Sequence, residues 1–394
     1  MIKSIFNISD NSILAKRLRK FKSIKRAYFS LIILTSLYII SILGPIIVNN
    51  KPLLVKYNEN YYFPLFTDLF TNNFYDAKFF GQDSLRGEVK FGEPHYRSLK
   101  KNFNLENNGN FVIMPFYPYN PYEDVLSELD EEYIDLNGNK KWDILEPFND
   151  ENNDGKLNQY RPATFPDSIH IMGTDNQGRD VLARLIYGFR ISITFALIVT
   201  ILSYTIGILM GGILGFYGGK VDIIGMRFIE IYASMPFLFI LMILGNFLKP
   251  NIYILAFMYI ILSGWVGICW YIRGEFYREK AKDYVSAAIS MGQSNIKIMF
   301  KHILPNALTP VITFAPFAII GYISGLVSLD YLGFGLQPPT PSWGELFSQG
   351  AANLQYWHLV LFPLIAMGTT LFLITFIGEG IREAFDPKVH SRLR

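Results

Sequence analysis

The sequence of 394 residues contains one cysteine and only five histidines. Because a disulfide needs two thiols, Cys269 cannot form one within the chain, and its place in an apolar run favours a packing role. The phosphate-binding pattern GxxxxGK(S/T) is also missing, since its nearest approach, at 215–221, lacks the first glycine and the final hydroxyl. The histidines are scattered and form no group with serine and acidic residues that would indicate nucleophilic catalysis. The sequence thus indicates neither an ATPase nor a hydrolase active site.

Apolar residues are abundant instead, at 51% of the chain, and they are concentrated in long runs with few or no charges. As a helix, a run of about 20 such residues spans the roughly 30 Å hydrocarbon layer of a membrane. Six runs meet this length, at 27–48, 191–215, 223–245, 252–272, 308–329 and 357–377. The first run is too long for the core of a cleavable signal peptide, so we expect a retained anchor. We therefore predict an all-α polytopic membrane protein with six transmembrane helices.

Lysine and arginine near the ends of the spans predict the orientation, because these residues resist translocation across the membrane. Eight of them precede the first span, six lie between the fourth and fifth spans, and none occurs at 330–358. Both termini and the loop 273–307 are therefore expected in the cytoplasm. The chain divides into a cytoplasmic tail (1–26), the first helix (27–48), a large extracytoplasmic insert (49–168) between helices 1 and 2, and a core (169–394). Basic flanks that face anionic lipid account for the net charge of +3, so we do not expect nucleic acid as a partner.

The loop between the fourth and fifth spans contains an amphipathic stretch at 283–306. Its apolar residues recur at helical spacing, at Val285, Ile289, Ile296, Met299 and Ile303. Small residues at 287, 288 and 292 would let another protein approach closely. Pro305, which has no backbone N–H, is expected to end this helix. The stretch predicts one rigid helix that docks on a partner protein in the cytoplasm.

The same stretch resembles the cytoplasmic signature of binding-protein-dependent ABC importer permeases, in which Glu-Ala-Ala, three residues and Gly precede an apolar-Leu-Pro ending. The matching residues are Ala287, Ala288, Gly292, Ile303, Leu304 and Pro305. Ser286 stands where the family has glutamate, and Asp283 or Glu275 could supply the missing carboxylate. In the family this loop is the coupling helix that docks into a groove on the ATPase. The resemblance therefore implies an ATPase-coupling role for Asp283, Ser286 and the matching residues.

Three further segments resemble one branch of that family, the second permease subunit of dipeptide, oligopeptide and nickel importers. They are residues 173–193, 328–344 and 378–388, and they occur in the family's order. The resemblance implies a multi-pass subunit of the bacterial cytoplasmic (inner) membrane that imports peptides or similar small solutes by alternating access. It implies as partners a second homologous permease, two ABC ATPases that hydrolyse the ATP, and an extracytoplasmic solute-binding protein. No catalytic residue and no cofactor for transport are expected in this chain, and the substrate-binding residues stay unassigned.

Two local features have a physical interpretation beside the resemblance. Thr174 or Asp175 is expected to cap a short helix whose arginines recur on one side, as in a helix that lies along the outer membrane surface. Arg227 and Glu230, one turn apart in the third span, are expected to pair and so to reduce the cost of charge near lipid. The first feature predicts an interfacial helix and the second a structural ion pair.

The insert 49–168 is much larger than the family's usual loop, and between 123 and 154 it has 12 acidic residues against two lysines. Two overlapping loops there have oxygen-bearing residues at the spacing of calcium ligands. The candidate metal residues are Asp135, Asn137, Asn139, Lys141, Asp143 and Glu146 in the first loop, and Asp150, Asn152, Asp154, Lys156 and Asn158 in the second. Each loop is incomplete, with Lys140 in place of a glycine in the first and Arg161 in place of a glutamate in the second.

Solvated turns are the alternative to calcium loops, because Asp, Asn and Gly also favour turns. We predict weak calcium sites whose Ca²⁺ rigidifies the insert by neutralising part of its negative charge. The competing function is then a non-transporting membrane scaffold or receptor with a calcium-stabilised outer domain. The cytoplasmic signature argues against that function, because a scaffold needs no helix that docks on an ATPase.

Overall fold

The computed structural model describes residues 13–82, 93–106, 108–123, 133–134, 136, 142–143, 146–148, 157, 163–248 and 250–385. The helices in chain order are α1 (Ile13–Ser23), α2 (Lys25–Ile42), α3 (Gly44–Ile47), α4 (Pro64–Thr71), α5 (Tyr96–Glu106), α6 (Val181–Tyr217), α7 (Gly219–Ala233), α8 (Phe237–Leu248), α9 (Ile252–Tyr259), α10 (Val266–Lys280), α11 (Asp283–Ser290), α12 (Asn295–Lys297), α13 (Leu304–Tyr331), α14 (Trp343–Ala352) and α15 (His358–Phe385). A 3₁₀ turn covers Ala77–Phe80, and π-helical turns cover Ile260–Gly264 and Ile298–Ile303. The strands are β1 (Leu54–Tyr57), β2 (Asn60–Tyr62) and β3 (Phe111–Ile113).

Contacts group the chain into two compact units. The first unit comprises Met1–Tyr38, Phe189–Ser348 and Leu364–Arg394, and the second comprises Ile39–Gly188 and Gln349–Pro363. Among the described residues, four continuous helices are long and apolar enough to cross a membrane, and two bent pairs bring the number to six. The continuous helices are α2, α6, α15 and the run Asn295–Tyr331, and the pairs are α7 with α8, bent by 67°, and Ile252–Gly264 with α10, bent by 46°. The polytopic helical fold predicted from the sequence is confirmed.

Both bends have local causes. Pro236 lies between α7 and α8, and it lacks the N–H that would continue the helical hydrogen bonds. The bend before α10 follows the π-helical turn Ile260–Gly264, which places an extra residue in the helical ladder. On α7, Arg227 Nη1 lies 2.7 Å from Glu230 Oε2, so the predicted ion pair is confirmed.

Helices α6 and α10 approach to backbone contact in the first unit. Gly211 and Gly215 of α6 face the backbone of α10, and Gly207 faces Ile268 of α10 and the carbonyl of Trp265 just before it; a Cβ on any of the three glycines would overlap these atoms. Stripes of small residues allow this close approach between membrane helices. Cys269 is fully buried on α10 and its carbonyl faces Gly211, as a packing role requires. The contact fixes the position of α10, from whose end the stretch 283–306 departs.

The second unit contains a three-stranded antiparallel sheet in the order β2-β1-β3. Val55 of β1 pairs with Tyr62 and Val112, and the alternation of side chains turns both valines to one face of the sheet. That face is buried against Leu99 and Phe103 of α5. The sequence did not predict this sheet, because strands of three or four residues are too short for alternation to be recognised.

Candidate functional site

The prediction of one rigid helix over 283–306 is wrong, because the stretch is two helical segments joined by a glycine turn. Helix α11 ends at Ser290, and Gly292 follows with φ +73°. Gly292 N donates to Ile289 O at 2.9 Å, and Gln293 N donates to Ala288 O at 3.2 Å. This pair of hydrogen bonds is the Schellman motif, which favours glycine because the left-handed conformation is costly for a residue with a Cβ. The left-handed backbone conformation at Gly292 therefore explains why the signature has glycine at this position.

The prediction that Pro305 ends the helix is wrong. A helical run continues from Asn295 to Tyr331, and Pro305 is the second residue of α13. The preceding turn, Ile298–Ile303, is π-helical, so its N–H groups bond one residue further back than in an α-helix. This change of register accommodates a residue that has no N–H and whose ring would crowd the carbonyl four residues earlier. The stretch is consequently continuous with a helix long enough to cross the membrane.

One side of the stretch belongs to the core of the first unit. Val285 and Ala288 of α11 are buried, as are Met299 and Ile303 of the π-helical turn. They pack with side chains from α6, α10 and α13, namely Tyr204, Phe216, Ile272, Phe276, Ala307 and Val311. Full burial of a large aliphatic side chain contributes about 1.5–3 kcal/mol, so this contact fixes α11 on the longer helices.

The other side leaves large apolar side chains exposed. Ile289, Met291 and Ile296 are 51%, 69% and 69% exposed, and Phe300 is 49% exposed. Gly292 follows Met291 in the turn, and no described atom lies within 4 Å of the position that a Cβ would take. We call these five residues the docking surface. Contiguous exposed apolar side chains of this kind are typical of a surface that binds another protein.

The structure separates the predicted coupling residues into two groups. Exposed are Asp283, Ser286, Ala287, Gly292 and Pro305, whereas Ala288 and Ile303 are buried and Leu304 is half-buried. The buried group holds the stretch in place. Of the two carboxylates that could replace the glutamate missing at 286, Asp283 is exposed in the first turn of α11. Glu275 is largely buried and lies 2.5 Å from Arg278, so Asp283 is the better candidate.

A buried carboxylate that the sequence reasoning missed lies at the end of α10. Glu279 is 2% exposed and accepts hydrogen bonds from Lys282 Nζ at 2.7 Å and from the Tyr284 hydroxyl at 2.8 Å. Burial, and after it the hydrogen bond to Glu279, raises the pKa of Tyr284 above its ordinary value, so the phenol stays a donor at neutral pH. Nothing in the local sequence distinguishes Glu279 from an exposed acidic residue at a helix end, because burial depends on the tertiary packing of the chain.

Comparison with known proteins tests the resemblance found in the sequence. The family described as "Binding-protein-dependent transport system inner membrane component" matches residues 203–391. The chain is 36% identical to the "Peptidoglycan transport system permease protein YejE" of Agrobacterium fabrum, over 95% of this chain and 92% of that protein. The chain belongs to the ABC importer permeases. The branch is confirmed as well, since the "Oligopeptide transport system permease protein OppC" of Haemophilus influenzae is 39% identical over 61% of this chain and 77% of that protein.

A further relative and a solved structure show how much of this permease is similar to known proteins. The "Inner membrane ABC transporter permease protein YejE" of Escherichia coli is 36% identical over 94% of this chain and 96% of that protein. Because the two YejE proteins match nearly the whole chain, their matches include most of the insert 49–168. Among solved structures, the MetNI methionine ABC transporter in an inward-facing conformation matches with a TM-score of 0.41 and 18% identity, over 52% of this chain and 97% of the matched chain.

The segment 173–184 of the permease is a buried ionic cluster in the second unit, and the predicted interfacial helix is wrong. Asp175 Oδ2 accepts a hydrogen bond from Arg179 Nε at 2.7 Å and lies 3.4 Å from Arg184 Nε. These three residues are at most 2% exposed. Asp180 caps α6, since its Oδ1 accepts the N–H of Ala183 at 2.8 Å. The arginines are inside the protein because a partner carboxylate compensates the cost of burying their charge.

The segment 328–344 of the permease is a turn organised by Asp330 in the first unit. Asp330 accepts the N–H of Leu336 at 2.6 Å and the hydroxyl of Ser342 at 2.5 Å. Ser342 Oγ in turn accepts the N–H of Gly344 at 3.1 Å and so caps α14. A Cβ on Gly335 or Gly344 would overlap Asp330 or the backbone at the end of α13. The hydrogen bonds and the close backbone contacts therefore explain why this segment contains these polar residues and glycines.

Most of the predicted calcium residues lie outside the described part of the chain. These are Asp135, Asn137, Asn139, Lys141, Asp150, Asn152, Asp154, Lys156 and Asn158. The other two are Asp143 and Glu146, and the described residues contain no group of three or more His, Cys, Asp or Glu side chains that could hold a metal ion. Glu146 is buried, and its two carboxylate oxygens accept the N–H groups of Leu136 and Asp143, both at 2.9 Å. The Glu146 carboxylate thus holds Leu136 and Asp143 together, and calcium binding stays a prediction.

An apolar cavity of about 260 Å³ lies beside the docking surface in the first unit. Its lining comprises Ile208, Leu209, Gly212, Ile213, Tyr217, Phe276, Ile296, Met299, Phe300 and Leu304. A peptide carries charged termini, and this lining offers no charged side chain to bind them. The cavity is therefore unsuitable as a peptide site, and the substrate-binding residues of the permease stay unassigned.

Proposed function

We propose that this permease pairs with a second homologous permease, two ABC ATPases and an extracytoplasmic solute-binding protein. ATP hydrolysis takes place on the separate ATPase subunits, and the paired permeases open alternately to the two sides of the membrane. The observation that carries this proposal is the division of the stretch 283–306. Its buried side is anchored among α6, α10 and α13, and its docking surface is left free for a partner.

The docking surface suits the groove of a folded protein. Four exposed apolar side chains accompany a glycine whose Cβ position is open, so that the partner's backbone can approach Gly292. Asp283 supplies a carboxylate one helical turn before Ala287, on the exposed side of α11. A basic residue of the ATPase that meets the signature glutamate in other members of the family would here meet Asp283.

Movement of the docking surface has a mechanical route into the membrane. The run Asn295–Tyr331 has 37 residues, which at 1.5 Å per residue corresponds to about 55 Å. A displacement applied at Ile296 therefore reaches the far end of a helix longer than the hydrocarbon layer. The π-helical turn Ile298–Ile303 lies between Ile296 and the rest of this run.

Peptides are the proposed substrates, and peptide fragments of peptidoglycan are the first class to test. The relative named for peptidoglycan transport matches 95% of this chain, whereas the Haemophilus relative named for oligopeptide transport matches 61%. The insert 49–168 is thus largely included in the match to the YejE proteins. Mass spectrometry of the ligand that co-purifies with the solute-binding protein would identify the cargo directly, and recovery of a cargo without a peptide bond would contradict this substrate class.

The proposed orientation places both termini and the docking surface in the cytoplasm. Cys269 is fully buried, so the background in thiol labelling is expected to be low. A cysteine introduced at Ser290, which is exposed at the end of α11, should react with a membrane-impermeant maleimide in inside-out vesicles and be protected in intact cells. Labelling from outside intact cells would contradict the orientation.

Reconstitution tests the transport function against the scaffold function. The permease should co-purify with the ATPase pair and the second permease, and proteoliposomes that contain the full complex should accumulate peptide only with ATP and solute-binding protein. Recovery of this chain with outer partners alone, and no ATP-dependent uptake by the complex, would favour the non-transporting scaffold or receptor instead.

A further inference from the structure

The turn between α10 and α11 is organised by one buried carboxylate. Glu279, in the last turn of α10, is 2% exposed. Its Oε1 accepts a hydrogen bond from Lys282 Nζ at 2.7 Å, and its Oε2 accepts one from the Tyr284 hydroxyl at 2.8 Å. Both donors lie just beyond α10, Lys282 at the N-cap of α11 and Tyr284 within its first turn. The carboxylate therefore holds the beginning of α11 against the end of α10.

The same hydrogen-bond chain continues to a third helix. Asn306 Nδ2 donates to the Tyr284 hydroxyl oxygen at 3.2 Å and also lies 3.2 Å from the carbonyl oxygen of His302. Asn306 is the third residue of α13, directly after Pro305. Glu279, Tyr284 and Asn306 thus connect α10, α11 and α13, and the hydroxyl of Tyr284 is the link between the other two side chains.

The hydrogen bonds fix the orientation of α11, which its apolar contacts alone do not fix. Buried side chains such as Val285 hold α11 on the core, but apolar contacts have no directional preference and let a short helix rotate or slide. A helix of eight residues is also too short to keep its conformation alone, so its neighbours determine its orientation. Hydrogen bonds to an ionised carboxylate are short and directional, and they fix the rotation of α11 relative to both longer helices.

We propose that Glu279, through Tyr284 and Asn306, is a positioning residue that makes α11 move as one body with α10 and α13. This inference rests on the proposed function, because it concerns how motion of the ATPases reaches the spans. Without the chain of hydrogen bonds, α11 moves with the ATPase, but its displacement is only partly transmitted to α10 and α13. ATP is then hydrolysed with less substrate moved.

Tyr284→Phe is the decisive variant because it removes one hydroxyl and leaves the ring in place. Tyr271→Phe is the matched control: Tyr271 lies on α10, is also half-buried, and its hydroxyl makes no hydrogen bond among the residues that the structure describes. Each variant is purified as the complete transporter and placed in proteoliposomes. Uptake and ATP hydrolysis are measured together, and the readout is peptide imported per ATP hydrolysed.

We expect Tyr284→Phe to assemble normally and to import about tenfold less peptide per ATP, the factor that corresponds to loss of one hydrogen bond to a charged group. Glu279→Gln should lower the same ratio, and Tyr271→Phe should leave it at the wild-type value. An unchanged ratio for Tyr284→Phe would overturn the inference, as would equal losses of assembly, ATP hydrolysis and uptake, which indicate a merely structural role. If wild-type complexes show no ATP-dependent uptake at all, the proposed function has failed instead.

Discussion

Substitutions at Gly292 separate the conformation of the docking surface from its contact with a partner. The glycine has φ +73°, and no described atom lies within 4 Å of the position of a Cβ. Within this chain the cost of Gly292→Ala is therefore conformational, about 1–2 kcal/mol for a residue with a Cβ in the left-handed region. Gly292→Asn avoids most of that cost, because asparagine tolerates this region, but it places a larger side chain in the open space.

Gly292→Ala should therefore affect mainly the stability of the permease, and Gly292→Asn mainly its affinity for the ATPase. Gly292→Ala should lower the melting temperature of the purified permease and, because its side chain is a single methyl group, weaken the affinity for the ATPase less than Gly292→Asn does. Gly292→Asn should melt close to wild type, yet bind the ATPase about 5- to 150-fold more weakly, since a side chain forced into a packed contact costs about 1–3 kcal/mol. Gly292→Glu combines strain, bulk and charge, and it should prevent assembly or uncouple uptake from ATP hydrolysis.

Thermal unfolding in detergent measures the first effect, and binding of the ATPase to permease in nanodiscs measures the second. Wild-type affinity for Gly292→Asn would refute the assignment of Gly292 to the contact with the ATPase. Wild-type stability for Gly292→Ala would refute the argument from its positive φ. Unimpaired uptake by Gly292→Glu would contradict the docking role of the whole surface.

Three further predictions concern packing, buried charge and calcium. Gly211→Ala should destabilise the permease by about 1–3 kcal/mol by forcing α6 from α10, whereas Gly267→Ala, on the open side of α10, should be neutral or stabilising in thermal unfolding; equal effects would contradict the close helix contact. Asp175→Asn should cost about 3–5 kcal/mol by removing a carboxylate that compensates buried arginine charge. Size-exclusion chromatography should show a loss of monodisperse protein, and normal yield would contradict this. Calcium should raise the melting temperature of the full-length permease, and Asp135→Ala with Asp150→Ala should abolish the rise; a rise that survives both substitutions would contradict the calcium loops.

The membrane fold was predictable because a spanning segment must satisfy its own backbone hydrogen bonds and therefore follows a simple length rule. The length of an apolar run does not show where a spanning helix bends. Pro236 lies inside an apolar run that was predicted as one span, and the structure divides this run into α7 and α8. Pro305 shows the reverse error: the residue type suggested an end, whereas a π-helical turn lets the helix continue. In both cases the backbone around the proline decides the outcome, and that conformation depends on packing.

The position of the proposed docking surface was predictable, but the exposure of its individual side chains was not. Apolar spacing marked Val285, Ile289 and Ile296 alike, yet Val285 is buried and the other two are exposed. The signature named Gly292 without its reason, which is the left-handed turn that ends α11. Glu279 carried no signal at all, since the spacing of residues does not show that its carboxylate is buried or that it accepts a hydrogen bond from Tyr284 of α11.

The sequence by itself determined the family, the candidate membrane-crossing segments and the position of the loop that we propose to meet the ATPase. Composition, run length and short motifs record these properties locally, so they can be read without coordinates. Only the tertiary structure decided which side of the stretch 283–306 is free, why the arginines at 179 and 184 are inside the protein, and how Glu279 joins three helices. Burial and hydrogen bonding depend on which distant segments pack together, and helical spacing identifies an apolar face without saying what covers it.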